Sequence, residues 1–233
     1  MPPTSKITIR LSTEADGQFL LDAFDAALPA LAARGSGAQW GSTPYPDLPP
    51  DQQEKRTLIV RQAWRFQATG EGNPIRLFVA EKEITPEEAD SFKEPVHIRD
   101  DEDGKKFLAV AFVRLAEDLL PDYIAALSES RESMKNELVG KKDYVYLEAL
   151  IADFRTGEYR KGAGGALIKF AKEYCLEKQK PTLYLDSWAG NEGTLIKYYR
   201  SHGFSVFDEF RVTKPDGSEW HGAVYRLDVK EQE

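Results

Sequence analysis

Tyr144-Val-Tyr-Leu-Glu-Ala-Leu-Ile-Ala152 is the most apolar run of the chain, and a turn-rich loop, Asp153 to Lys161, leads from it into Gly162-Ala-Gly-Gly-Ala-Leu-Ile-Lys-Phe-Ala-Lys-Glu-Tyr-Cys-Leu176. The first segment reads as a buried strand and the last as a helix, because its apolar residues recur at helical spacing. Glycines at a strand-to-helix turn let backbone N–H groups come close to an anion, and the helix N-terminus adds a favourable dipole. A P-loop needs its glycine followed by Lys and Ser or Thr, whereas Gly164 is followed by Gly165-Ala166. A dinucleotide fingerprint needs a third glycine where Leu167 stands. What remains is a short Gly-x-Gly turn preceded by Arg155, Arg160 and Lys161, a basic cluster in an otherwise acidic chain. An anionic ligand would account for it, and so would a helix that starts on glycines for close packing.

Working outward, Thr182-Leu-Tyr-Leu-Asp186 reads as a strand, Asn191 to His202 as a helix stopped by Gly203, and Phe204–Val212 with Trp220–Val229 as a closing hairpin around Lys214-Pro-Asp-Gly217. Towards the N-terminus, Ile7–Leu11 alternates like a short strand. Ser12 or Thr13 then caps a helix that ends at Arg34-Gly-Ser-Gly37. The loop Ser36–Pro50 carries Trp40 and Tyr45, and a second helix is expected over Asp51–Ala68. Arg76–Ala80 and Phe107–Val113 are strand-like. The charged stretch Glu81–Lys106 between them reads as a long hairpin insertion with a solvated tip, whose Asp100-Asp-Glu-Asp-Gly104 is a candidate acidic patch. A single helix is expected over Leu119–Leu138, within an insertion at about 116–140. With no internal repeat and no linker, residues 1–233 read as one α/β domain with a mixed sheet.

Composition excludes several classes. The 233 residues carry 31 Lys+Arg against 39 Asp+Glu, a formal net charge of −8, so a nucleic-acid partner is not expected. At 41% hydrophobic residues the chain can bury a core, yet no window approaches the roughly 18–20 apolar residues of a membrane span. The start, Met1-Pro-Pro-Thr-Ser-Lys6, lacks the apolar stretch of a signal peptide, which with the single Cys175 points to a reducing, cytoplasmic compartment. His97, His202 and His221 have no ligand spacing, so no metal is expected, and Cys175 is most simply a small core residue. The acidic balance slightly favours a cationic acceptor.

A second block, Leu185-Asp-Ser-Trp-Ala-Gly-Asn191, closes with Tyr198-Tyr-Arg-Ser-His-Gly-Phe204. Together with the strand–Gly162-x-Gly164–helix unit it resembles the GNAT superfamily of N-acetyltransferases over about residues 144–210. The resemblance implies a twisted, mostly antiparallel sheet of about seven strands with helices on both faces. It also implies a splayed parallel pair, 144–152 and 182–187, that admits acetyl-CoA. The pantetheine arm would pair with the backbone of Leu150, Ile151 and Ala152 like an added strand. The pyrophosphate would sit on Lys161, Gly162, Ala163, Gly164, Gly165 and Ala166, and Asn191 would hydrogen-bond the arm or a nearby carbonyl. The chain departs from the family in two places. Tyr159 stands where Gln or Arg is usual, with Arg160 one place later as a possible phosphate contact, and the Asn191–Gly203 stretch is one residue longer than usual, around Gly193-Thr194.

Acetyl transfer needs a neutral amine, stabilisation of the developing oxyanion and a proton for the departing thiolate. Tyr199, four residues before Gly203, matches the family's thiolate-protonating tyrosine, while Tyr198 points about 100° away on the helix. Glu148, the sole acid in the run Tyr144–Ala152, is a candidate base if desolvated, or else the partner of a structural ion pair. Asp186 is expected to orient the loop carrying Trp188. Trp40 would stack on the acceptor or close the core, and Trp188 is a further candidate acceptor contact. The resulting expectation is acetyl transfer from acetyl-CoA to a primary amine of a small molecule or peptide, by direct attack in a ternary complex, in a monomer or homodimer. A non-catalytic CoA-binding module and a transferase using another acyl-CoA are the alternatives.

Overall fold

The computed structural model describes residues 6–213 and 217–230. The turn expected at Lys214-Pro-Asp-Gly217 therefore falls largely outside the described residues. Strands β1 (Ile7–Leu11), β2 (Ile75–Ile84), β3 (Ile98–Asp100), β4 (Lys106–Glu117), β5 (Tyr144–Ala152), β6 (Thr182–Trp188), β7 (Ser205–Thr213) and β8 (Glu219–Asp228) form one sheet. Its order is β1-β2-β4-β5-β6-β8-β7, with the short β3 on β4, so there are eight strands rather than about seven. Every pairing is antiparallel except β5 with β6.

Helices cover both faces. On one face α6 (Ala163–Glu177) and α7 (Gly190–Ser201) place Leu167, Ala171 and Tyr199 against Val145, Leu147, Leu183 and Leu185. On the other, α1 (Gly17–Ala32) and α2 (Pro50–Thr69) place Phe19, Ala23, Ala27 and Ala63 over Leu77, Val79 and Tyr146, joined by Ile124 of α4 (Asp122–Ser130) and Met134 of α5 (Glu132–Leu138). Both layers bury whole side chains, at about 1.5–3 kcal/mol for each large apolar one. Cys175 is fully buried among the first set, and burial pushes its thiol up to about 12, as fits a core residue. No helix among the described residues is long and apolar enough to cross a membrane.

Two expectations need correction. The single helix over Leu119–Leu138 is two, α4 and α5, because Arg131 is extended (φ −116°, ψ 117°). Its guanidinium is drawn out to the Asp208 carboxylate at 2.7 Å and the Glu209 carbonyl at 2.8 Å. The charged stretch 81–106 is not a plain hairpin. β2 continues to Ile84, and Thr85 with Glu88 forms a reciprocal cap on a short helix, α3 (Pro86–Asp90). β3 follows before the turn. There Asp101 accepts the backbone N–H groups of Asp103 and Lys105, and Asp100 pairs with Lys106 at 2.9 Å. These two carboxylates thus meet local donors rather than forming a free acidic patch.

Asp118, at the end of β4, is left-handed (φ 51°) and ties three elements together. It accepts the Tyr144 N–H at 3.0 Å and the Lys180 ammonium at 2.5 Å. Burial raises its carboxyl, but these hydrogen bonds outweigh burial and hold it below 3.8. A lowered folded-state pKa contributes stability that is present above the unfolded value and lost as pH falls through the folded one. Asp118→Asn keeps the backbone bond and tolerates the left-handed conformation, so it isolates the charge. It is expected to cost about 1–2 kcal/mol at pH 7, a difference that shrinks as pH falls below the range of an ordinary aspartate, read from urea denaturation midpoints across that range.

Candidate active site

The parallel pairing of β5 and β6 runs only from Tyr144↔Thr182 to Leu147↔Leu185. Beyond it β5 stays with β4 and β6 stays with β8, so the two strands part. At that point the β4–β5 register slips: Leu115 faces Leu147 and Arg114 faces Ala149, which leaves Glu148 as the extra residue of a β-bulge. The slip swaps the faces of the strand, since Leu147 and then Leu150 lie on the α6 side. From Glu148 to Ala152, the edge of β5 towards β6 carries no ladder partner.

A cleft of about 320 Å³ passes through the sheet at this opening. Leu147, Leu150 and Tyr199 line it from the α6–α7 side, and Trp40, Tyr123 and Trp220 from the other. A second cavity of about 230 Å³, under α1 and α2, shares Trp40, Glu148 and Ala149 with it. Glu148 is largely buried, and its Oε2 lies in direct ion-pair contact with Arg114 Nε. Burial raises the Glu148 carboxyl and Arg114 offsets that only in part. Asp186 is deeply buried and accepts the hydroxyls of Tyr123 at 2.5 Å and Tyr146 at 2.7 Å. Burial also raises its carboxyl, against those two bonds.

Among the described residues, Gln39 Oε1 and Arg56 Nη1 are buried without a hydrogen-bond partner, and Arg114 Nε and Glu148 Oε2 meet only each other, as an ion pair. All four residues line one or both of these adjoining cavities. Unfilled polar atoms are costly in a folded interior and concentrate where a ligand or chemistry needs them.

No family model matches the chain, and no curated protein matches it in sequence. Solved structures do match its fold. The yncA protein of Salmonella typhimurium, solved with its cofactor acetyl-CoA, aligns over 97% of this chain and 95% of its own at 14% identity and a TM-score of 0.54. A GNAT superfamily phosphinothricin acetyltransferase from Sinorhizobium meliloti, in complex with acetyl-CoA, aligns over 97% and 89% at 15% identity and a TM-score of 0.52. A ribosomal-protein-alanine N-acetyltransferase from Brucella melitensis aligns over 95% and 99% at 16% identity and a TM-score of 0.51. The chain has the GNAT fold.

Within that GNAT fold the glycine turn lies beside the opening. Gly162 is left-handed (φ 83°) and starts α6 with no side-chain cap, so the N–H groups of the first turn are unclaimed by any cap. A Cβ on Gly164 would lie 2.6 Å from the Tyr198 hydroxyl, so close packing of α7 also requires glycine there. Both readings of the motif are therefore physically present. The basic cluster divides: Arg155 is consumed by Asp153 at 2.7 Å and Asp22 at 3.1 Å. Arg160 instead caps the Gly157 carbonyl and lies over the Phe154 ring. Lys161 is exposed beside Glu158.

Tyr199 is buried, packs on Phe204 and Tyr225, and lines the cleft. Burial raises its phenol, so it keeps its proton at neutral pH. Asn191 donates to the Arg34 carbonyl at 2.8 Å and Ser36 Oγ at 2.9 Å, which ties the β6–α7 turn to the loop after α1. At the start of the Asn191–Gly203 stretch, Asn191, Glu192 and Gly193 are three consecutive left-handed residues. Trp40 stacks on Phe24 with ring centroids 4.9 Å apart while lining both cavities. No group of residues that could hold a metal occurs among the described residues.

Sequence reasoning missed Arg114, Arg56, Tyr123, Gln39 and Trp220. Arg114 had a signal, as the one charged residue inside the run Phe107–Ala116. Tyr123 had none, since only the docking of α4 brings it to Asp186.

Trp188 lies flat against Gly190, where a Cβ would overlap the indole ring. Gly190→Ala must push Trp188 out of the cleft wall. The expected cost is about 1–3 kcal/mol, with a shift of tryptophan emission in the folded state. An unchanged melting temperature and spectrum would refute this packing.

Proposed function

We propose that the protein is an acetyl-CoA-dependent N-acetyltransferase acting on a primary amine. The observation that carries the reading is the unpaired β5 edge, Glu148–Ala152, whose Leu150 lies beside Gly164 at the uncapped start of α6 and whose cleft Tyr199 lines. The N–H and C=O groups of Leu150 and Ala152 face away from β4 and suit an extended, amide-bearing arm that adds to the sheet as a strand would, whereas those of Ile151, expected to share this role, are directed to Phe112 of β4. The N–H groups from Gly162 to Gly165, with exposed Lys161, suit its pyrophosphate, whereas the Ala166 N–H, expected to join them, already donates to the Gly162 carbonyl at 3.0 Å. Arg155 is left out of this role, since its two carboxylate partners already neutralise it.

The chemistry follows from the groups on the cleft. An acceptor amine enters largely as the ammonium, whose ordinary pKa is near 10. The Glu148 carboxylate, raised by burial, accepts that proton directly or through a water. The amine nitrogen then forms its bond to the thioester carbonyl carbon, and the C–S bond breaks. The thiolate takes a proton from the Tyr199 hydroxyl, and the second proton lost by the nitrogen restores the phenol. The Arg114 ion pair lowers the Glu148 carboxyl but less than burial raises it, so the ion-pair and base readings of Glu148 combine in one residue. Asp186 acts as a positioning residue for Tyr123, and Asn191 as a clamp on the Arg34–Ser36 loop.

Calorimetric titration with acetyl-CoA, with NADH as control, is expected to give micromolar binding of acetyl-CoA only; no binding would overturn the proposal. Tyr199→Phe is expected to lower kcat at least tenfold while leaving acetyl-CoA affinity within about twofold. Equal turnover in variant and parent would remove Tyr199 as the acid. In the parent, kcat/KM should rise with pH through an apparent pKa above the 4.5 of an ordinary glutamate. In Glu148→Gln that limb should vanish, leaving only the limb set by the acceptor amine.

A further inference from the structure

β1 lies at the edge of the sheet: it pairs with β2 alone, and its other side faces the flank of α6. The Ser12 N–H donates to the Leu77 carbonyl at 2.8 Å, and the antiparallel register carries that parity back along the strand. Thr8 and Arg10 therefore turn their N–H and C=O groups towards Glu81 and Val79, while those of Ile7, Ile9 and Leu11 turn outward, away from the sheet. The Leu11 carbonyl accepts from the Arg10 guanidinium at 3.2 Å, whereas the outward groups of Ile7 and Ile9 have no partner among the described residues. A groove of about 810 Å³ runs along this edge, between β1 and α6. Ile7, Ile9 and Phe170 give it an apolar floor, and Lys6, Lys82, Lys161 and Lys169 surround that floor. Lys161 lies 2.5 Å from Glu158 and Lys169 lies 3.7 Å from Glu173, both as solvent-exposed pairs. Lys6 and Lys82 have no ion-pair or hydrogen-bond partner among the described residues.

An unpaired strand edge is a template for another strand, and charged side chains along it decide which strand can pair there. Lysines disfavour a second copy of this chain, because two such edges laid together would bring like charges face to face. The same lysines attract an anionic strand. Lys82 stands opposite Ile7 in the β1–β2 register, so the two side chains share a face of the sheet, and it is the face that α6 covers. A strand added outside β1 places every second side chain on that face, among Lys82, Lys161 and Lys169. In a chain of net charge −8 the groove is a local reversal of sign, which draws an acidic segment to this edge. The apolar floor and the outward backbone groups suit a polypeptide rather than a bare polyphosphate, which has use for neither. Met1-Pro-Pro-Thr-Ser5, the residues that precede β1, contain no acid and so do not supply the charge. We infer that the groove between β1 and α6 docks an extended acidic segment of a partner protein, which adds to β1 as a further strand, its backbone on Ile7 and Ile9 and its alternate carboxylates on Lys82, Lys161 and Lys169.

Nothing in this docking depends on acetyl transfer, and its test needs no turnover. The full chain is titrated into a fluorescein-labelled peptide of about ten residues in which Glu alternates with Val. Fluorescence anisotropy is expected to show saturable binding at about 50 mM salt, weakened several-fold at about 200 mM. A peptide with Lys in place of Glu is expected not to bind. The acidic peptide N-methylated at every second residue keeps all its charges but cannot pair with Ile7 and Ile9, and is expected to bind about tenfold more weakly or worse. Lys82→Glu combined with Lys169→Glu is expected to weaken binding of the acidic peptide by about tenfold or more. Neither residue belongs to the proposed donor site, so the melting temperature and the calorimetry of acetyl-CoA should stay as in the parent. Absence of binding by the acidic peptide, or full binding by the double variant, would overturn the inference. Equal binding of the N-methylated peptide, or tighter binding of inorganic polyphosphate at matched charge, would reduce the groove to a polyanion patch and overturn the added strand. A dimer in sedimentation velocity that the acidic peptide dissociates would give the edge to a second copy, and would overturn it as well.

Discussion

The separation of β5 from β6 after Leu147 and Leu185 is the constraint on which the site depends. A parallel pair whose ladder stops half-way leaves backbone donors and acceptors unpaired inside a domain, which folded proteins ordinarily avoid. Here the deficit is held in place from both sides. β4 keeps β5 through the bulge at Glu148, and β8 keeps β6 to its end at Trp188. The opening is therefore not a frayed end but a gap between two fully paired ribbons.

Everything with chemical content is arranged around that gap. The bulge turns Glu148 into the cleft, where Arg114 from the neighbouring strand pairs with it. α7 brings Tyr199 to the same cleft from one face and lays Tyr198 on Gly164, so adjacent tyrosines serve separate ends of the site. From the other face, Tyr123 is held by the buried Asp186, and Trp40 stands where the two cavities meet. α4 itself is placed by Arg131, whose pairing with Asp208 breaks the helix that the local pattern favours. A long-range ion pair outweighing local helix propensity in this way is common, since propensity differences are fractions of a kcal/mol per residue.

The polar atoms left without partners carry a further lesson. Most ion pairs here are answered on both sides: Glu81 by Arg10 and Arg99, Asp16 by Arg10, and Asp153 by Arg155. Those networks brace the fold. The groups lining the two cavities differ, in that Arg114 and Glu148 have only each other while Gln39 Oε1 and Arg56 Nη1 have no hydrogen-bond partner.

By itself the sequence determined the order and nature of nearly all elements, because apolar periodicity of two or 3.6 is a local property that burial on one face enforces. The strand Tyr144–Ala152, the glycine turn, α6 and the second block down to Phe204 were legible in this way, and with them the positions of Glu148 and Tyr199. The charged stretch 81–106 was misread because its apolar content is low, although the Thr85–Glu88 cap was there to be seen. What only the tertiary structure decided lies between elements: the point at which β5 and β6 part, the bulge, the loss of Arg155 to Asp153 and Asp22, and the meeting of Arg56, Arg114, Gln39 and Glu148 around two cavities. Those four residues are spread from position 39 to position 148 on four different segments. No local pattern links them, because their relation is set by how α2, the loop after α1 and the β4–β5 bulge pack against one another.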